Sequence, residues 1–149
     1  MAELIRTDSD NPDFIQLVRL LDTDLAIRDG EDHAFYAQYN KIGTIKYVIL
    51  AYEGQKAIAC GALKEFEGSS AEVKRMFTLS EYRGKGIATM ILTALENWAK
   101  ELSFQKFVLE TGIKQPEAIH LYKKNGYTIT PNYGQYIGID KSVCFEKEL

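Results

Sequence analysis

Little in this chain points to a staple, an export route or a membrane. Its two cysteines, Cys60 and Cys144, have no CxxC and no Cys/His ligand spacing, which leaves a catalytic or metal-binding cysteine as the lesser alternative. Both lie in strand-like surroundings, and buried thiols are the expected outcome. The N-terminus Met1-Ala2-Glu3-Leu4-Ile5-Arg6-Thr7-Asp8 lacks the basic region and apolar run of a secretory signal, which predicts a cytoplasmic protein. The longest apolar run, Tyr47 to Tyr52, falls far short of the roughly 20 residues that span a bilayer, so no membrane association is expected. A formal net charge of -3 supplies no basic field for nucleic acid. Repeats, low-complexity tracts and linkers are missing, and so is any Ser/His or Cys/His pair that would suggest covalent catalysis.

What remains is 149 residues, 46% hydrophobic and 26% charged, enough for one domain over residues 1–149 that buries roughly 70% of its unfolded surface. Leu4 to Arg6 reads as a short strand. Asn11-Pro12 then opens a helix with Phe14, Leu17, Val18, Leu21 and Leu25 on one face. From Asp22 to Asp32 the chain turns acidic, with Asp22, Asp24, Asp29, Glu31 and Asp32 against Arg28. This run reads either as a solvated loop or as a mouth that attracts cations, with His33, Phe35, Tyr36 and Tyr39 as candidate walls.

Lys46 to Tyr52 and Lys56 to Phe66 are strand-like around Glu53-Gly54-Gln55, and Gly68-Ser69-Ser70 leads into a third strand, Ala71 to Leu79. Strict alternation puts Glu72, Lys74, Met76 and Thr78 on one face of it and Val73, Arg75, Phe77 and Leu79 on the other. The strand feeds Arg83-Gly84-Lys85-Gly86-Ile87-Ala88. Two glycines there permit positive φ and close approach of a ligand to backbone N–H groups, and the helix that follows adds unpaired donors and a dipole. This is an anion cradle suited to phosphate. The P-loop pattern, which needs four residues between Gly and Gly-Lys-Ser/Thr, is not present.

Ile87, Ile91, Ala94, Leu95, Trp98 and Leu102 follow a period near 3.6, so the helix runs to about Glu101. Gln105 to Glu110 is a strand reached through that helix, hence parallel to the one before. Pro116 starts a second short helix that Gly126 ends, with Gln115, Ala118 and Tyr122 on one face and His120 on the outer one. Tyr127 to Thr130 and Ser142 to Lys147 are two last strands, around a loop holding Tyr133 and Tyr136.

This order of elements, with Arg83, Gly86 and Ala88 filling the Gln/Arg-x-x-Gly-x-Gly/Ala signature, resembles the GNAT superfamily of N-acetyltransferases across nearly the whole chain. The resemblance implies an α/β (α+β) fold: a mixed, mostly antiparallel sheet of about six to seven strands flanked by about four helices, with a splayed strand pair. It implies acetyl-CoA as co-substrate, no metal, and a primary amine acceptor attacked directly in a ternary complex. The pyrophosphate would lie on amides of Arg83, Gly84, Lys85, Gly86, Ile87 and Ala88, and the pantetheine arm between Met76, Phe77 and Thr78 on one strand and Val108 to Glu110 on the next. Gln115, Ala118 and Tyr122 match a further family spacing, with Gln115 standing where Asn is common.

Tyr122 is thereby the candidate acid for the leaving thiolate, or else an aromatic wall. Glu72 is the candidate base for the ammonium, or else a structural carboxylate paired with Lys74 or Arg75. A backbone N–H near Phe77 or Thr78 is the expected oxyanion donor. The acidic run, with Tyr133 and Tyr136 as aromatic faces, predicts a cationic small-molecule or peptide acceptor. A homodimer is open on this reading. The alternative is a non-catalytic acyl-CoA sensor that keeps the cradle and has no use for Tyr122.

Overall fold

Side-chain capping and proline set the first helix. In the computed structural model, which describes residues 2–30 and 45–149, Asn11 accepts a hydrogen bond from the Asp13 N–H at 2.9 Å, and Pro12 fills a first-turn position where no N–H is needed. Helix α1 (Pro12–Asp29) follows strand β1 (Glu3–Thr7). It extends seven residues past Asp22, so the described part of the acidic run is helical and not a loop. Glu31, Asp32, His33, Phe35, Tyr36 and Tyr39 lie outside the described residues.

Strands β2 (Tyr47–Glu53), β3 (Lys56–Glu65) and β4 (Ser70–Thr78) form the expected meander. Helix α2 (Ile87–Glu101) then returns the chain to β5 (Lys106–Gly112), which pairs parallel to β4. After α3 (Pro116–Lys124), strands β6 (Thr128–Thr130) and β7 (Ser142–Glu148) close one seven-stranded sheet of order β1-β2-β3-β4-β5-β7-β6. Three α-helices and two short 3-10 turns are present among the described residues.

Each face of the sheet carries a core. On one, Ile91, Leu92 and Leu95 of α2 and Tyr122 of α3 pack on Ile49, Leu63, Val73, Phe107 and Leu109. On the other, Phe14, Leu17 and Val18 of α1 cover Val48, Leu50, Cys60 and Ala62. A fully buried side chain such as Ile91 or Leu95 contributes roughly 1.5–3 kcal/mol.

Strict alternation along β4 fails at one point. Cys60 faces Phe77 and Ala62 faces Lys74, so Arg75 and Met76 together stand opposite Gly61. This is a β-bulge, and Arg75 takes a left-handed φ of 58°, a conformation that costs a non-glycine residue on the order of 1–3 kcal/mol. The extra residue exchanges the faces beyond it. Met76 packs with the α2 core and Phe77 with the α1 core, while Arg75 reaches Asp22 of α1. The expected sets Glu72/Lys74/Met76/Thr78 and Val73/Arg75/Phe77/Leu79 are therefore each broken at the bulge.

Candidate active site

The parallel β4–β5 ladder holds only three pairs, Ser70 with Lys106, Ala71 with Phe107 and Glu72 with Val108, and then stops. Beyond Glu72 and Val108 the strands separate around a cleft of about 520 Å³, lined by Val73 to Thr78 on one side and Glu110 to Gly112 on the other. The splay thus begins beyond Val108, and the β5 wall lies slightly later than the expected Val108 to Glu110.

At one end of the cleft, Gly84 (φ 76°) and Gly86 (φ 82°) form the turn into α2. A Cβ added at either glycine would meet open space, so the backbone is uncovered there. Gly86 is the N-cap and offers no side-chain cap to the first-turn amides, while Ile87, Ala88 and Thr89 line the cleft. A group with several anionic oxygens fits this arrangement, and a pyrophosphate meets that description. Arg83 turns its Nε to the Thr78 carbonyl at 2.8 Å and lies over the Phe77 ring, and Lys85 Nζ sits 5.3 Å from the Tyr82 ring centre.

The Leu79 N–H donates to Ile58 of β3 at 2.9 Å. Peptide groups alternate sides along a strand, so those of Thr78 turn away from β3, toward the splay. Between the two residues expected as oxyanion donors, this geometry favours Thr78.

Tyr122 lines the middle of the cleft with Ala118 and Gln115 from the same helix. Its ring is edge-on to Tyr127 (5.7 Å) and tilted against Phe145 (5.8 Å), and the Tyr127 hydroxyl is itself held by Glu96 at 2.8 Å. Burial first, and then the charge of Glu110, push the Tyr122 phenol above its usual value near 10. It stays a proton donor throughout the neutral range. His120 is exposed at the cleft's edge.

Two carboxylates lie at the far end. Glu72 is buried, accepts the Tyr133 hydroxyl at 2.5 Å and stands 3.4 Å from Lys74 Nζ. Glu72 thus lines the cleft and is also paired with Lys74, the partner expected on the structural reading. Burial, then the charge of Glu72, raise the Tyr133 phenol, so Tyr133 donates and Glu72 accepts. Tyr136 packs edge-on to Tyr133 at 5.8 Å. Glu110 is the second carboxylate, and its side comes from register: it pairs with Cys144 across β7.

Glu110, Lys74 and Arg75 line the cleft, whereas the sequence offered Glu110 only as part of the wall beside the arm and Lys74 and Arg75 only as partners for Glu72. A lone acidic residue in the apolar run Phe107-Val108-Leu109 was the signal available for Glu110. For Arg75 no local signal existed, because its direction depends on the bulge.

Two acidic residues of the run, Asp22 and Asp24, are engaged in ion pairs. Asp22 pairs with Arg75 at 2.9 Å, and Asp24 with Arg28 at 3.3 Å. Arg28 also grips Glu117 of α3 through two hydrogen bonds of 2.8 and 3.0 Å, joining the cleft walls. Those bonds hold the Glu117 carboxyl down at about 2. Both thiols are free and buried, and burial raises Cys60 to about 12 and Cys144 to about 11. Among the described residues no group of three His, Cys, Asp or Glu side chains is placed to hold a metal, and no helix is long and apolar enough to cross a membrane.

A cleft between two parted strands, lined by the glycine turn, the start of α2 and a buried phenol, has room for a long ligand that carries anionic oxygens. A sequence profile of the acetyltransferase (GNAT) family matches residues 11–127. An IAA acetyltransferase of Azospirillum brasilense is 33% identical over 106 residues, 70% of this chain and 69% of that protein. YjgM of Escherichia coli strain K12, an uncharacterized N-acetyltransferase, is 28% identical over 132 residues, 81% of this chain and 78% of its own. Among solved structures, a Klebsiella pneumoniae protein assigned as an acyl-CoA N-acyltransferase superimposes with a TM-score of 0.82 at 29% identity, covering 100% of this chain and 98% of that one. A GNAT acetyltransferase of Elizabethkingia anophelis, solved with acetyl-CoA bound, shares the fold at a TM-score of 0.69 and 18% identity, covering 99% and 98%. The chain belongs to the GNAT acetyltransferase family, a class of acetyl-CoA-dependent N-acetyltransferases.

Proposed function

We propose that this protein moves the acetyl group of acetyl-CoA directly onto a primary amine that arrives as an ammonium cation. The observation that carries the proposal is the continuity of the cleft, which joins the Gly84–Gly86 cradle, Tyr122 and the Glu72/Glu110 carboxylates in one space. Arg83, Gly84, Lys85, Gly86, Ile87 and Ala88 hold the pyrophosphate in this reading, with Met76, Phe77, Thr78, Gln115 and Ala118 along the arm.

The amine must lose a proton before its nitrogen can attack the thioester carbonyl, and Glu72 is the assigned acceptor of that proton. Negative charge then grows on the carbonyl oxygen, where the Thr78 N–H serves as donor. Tyr122 gives its proton to the departing CoA thiolate as the C–S bond breaks, and solvent restores the phenol. The amide product and free CoA balance the reaction, with no covalent enzyme intermediate. The expected cytoplasmic setting belongs to the same proposal and accords with two free thiols.

The test is thiol release from acetyl-CoA across a panel of amines, with Tyr122→Phe as the probe. Loss of the hydroxyl should lower kcat by roughly 10- to 1,000-fold while the acetyl-CoA Kd from calorimetry stays the same. Failure of the wild-type protein to bind CoA overturns the proposal; unchanged kcat with chemistry rate-limiting removes Tyr122 from it.

A further inference from the structure

Arg75 holds a permanent charge in a place where its surroundings do not account for it. Its side chain is 3% exposed, and its Nη2 donates to Asp22 at 2.9 Å. Among the described residues its Nε and Nη1 are buried and have no hydrogen-bond partner. A guanidinium cannot escape by losing its proton, and a buried charged donor left unmade is among the costlier defects a fold can carry. The backbone adds to the anomaly, since Arg75 sits at φ 58° in the bulge that turns it toward α1. Left-handed residues other than glycine persist where the surrounding structure has a use for them.

A purely structural role does not cover these facts. Tying β4 to α1 needs only the Asp22 contact, whose carboxylate is half exposed and already satisfies its share through Nη2. A lysine would make that contact equally well. Nε and Nη1 call for oxygen acceptors, and a planar guanidinium matches a carboxylate better than any other common group. Arg75 lines the same cleft as Glu72, Lys74 and Glu110, so the lining carries side chains of both signs. That pattern is complementary to a molecule bearing both signs, and a dianion would set a second negative charge against two carboxylates.

We infer that Arg75 is the carboxylate-binding residue of the acceptor site, and that the acceptor is a small amino carboxylic acid whose ammonium faces Glu72 and Glu110. This rests on the acetyl-transfer reading above and narrows its substrate class. The acidic run then takes a different part from the one its sequence suggests: Asp22 orients the guanidinium rather than attracting a cation.

The experiment uses wild-type protein, acetyl-CoA, and matched acceptors that differ only at the carboxylate: each of the common amino acids, its amide, and its decarboxylated amine. Removing the carboxylate from the best acceptor should lower kcat/KM by about 30- to 1,000-fold, most of it in the acceptor's KM, with the KM for acetyl-CoA unaltered. In Arg75→Gln the ratio between the matched acceptors should collapse toward one, and Arg75→Lys should restore part of it. A structural role alone would depress both acceptors together and keep the ratio. The wild-type comparison stands even where a variant does not fold. Equal or better use of the amide or the decarboxylated amine overturns the inference, as does CoA binding without transfer to any amino acid. Absence of CoA binding instead overturns the acetyl-transfer reading beneath it.

Discussion

Gly61 sets how closely helix α2 approaches the sheet, and Gly61→Ala measures that distance. A Cβ built there would stand 2.5 Å from Met76 Sδ, 2.7 Å from Ile91 Cγ2 and 3.1 Å from Leu95 Cδ1. The first two are closer than real Cβ contacts, so something must shift. Met76 is unbranched and gives readily, whereas Ile91 is β-branched and fully buried. Overpacking of this kind costs about 1–3 kcal/mol. In a protein of this size each kcal/mol moves Tm by about 2–4 °C, so a fall of roughly 2–12 °C is expected in a thermal melt followed by circular dichroism. Because Ile91 stands one turn beyond the cradle, the acetyl-CoA KM should rise more than kcat falls. Met76→Ala clears the nearest atom, and the double variant should lose at least about 0.5 kcal/mol less than the sum of the single losses. A Gly61→Ala protein as stable as the wild type, or strict additivity with Met76→Ala, would show that α2 does not pack on Gly61 as described.

Three further outcomes follow from the site. Gly86→Leu forces a left-handed φ of 82° on a branched side chain and fills the open side of the cradle, so calorimetry should detect no CoA binding by a variant that still unfolds cooperatively. Glu72→Gln keeps an acceptor for the Tyr133 hydroxyl but removes the proposed base; kcat/KM at neutral pH should drop by roughly 100- to 10,000-fold, and a variant as active as the wild type returns Glu72 to a structural role. The Glu117 carboxyl is depressed to about 2, so its contribution is complete above the usual carboxylate range near 4.3 and is lost as pH falls from there toward 2. Its side chain is 65% exposed, so Glu117→Gln should cost under about 1 kcal/mol at pH 7 by urea titration, and the cost should fade as pH falls through the folded value.

The parts legible in the sequence are those fixed by near neighbours. Gly84 and Gly86 announce a turn with positive φ whatever the rest of the chain does, and Asn11-Pro12 and Pro116 mark helix starts by local capping chemistry. The helical stripe from Ile87 to Leu95 packs as its spacing implies. Two kinds of feature escaped. Asp22 and Asp24 read as a change of composition, yet α1 carries on through them, with Asp22 paired to Arg75 of the distant strand β4 and Asp24 to Arg28 one turn further along the same helix. The face exchange along β4 was invisible because a strand's register is a property of two strands, and nothing around Arg75 tells that Gly61 will stand opposite two residues.

That bulge connects the fold to the chemistry. Without it Arg75 would point toward α2 and Met76 toward α1, and Thr78 would fall on the other side of the pleat. With it, the peptide groups of Thr78 turn from β3 to the side where β5 has already parted from β4, and the Thr78 carbonyl is taken by Arg83 at the edge of the cradle. The same extra residue brings a guanidinium to Asp22 on the α1 side of the sheet, from a strand whose Glu72 and Lys74 line the same cleft. A single glycine makes room for it: any side chain at Gly61 would meet Met76 and Ile91 within van der Waals distance. The strain at Arg75 therefore falls just past the point where β4 and β5 part, on the lining of the cleft that they form. A variant that repaired the bulge, by deleting Arg75, should gain regular pairing between β3 and β4 and lose the site.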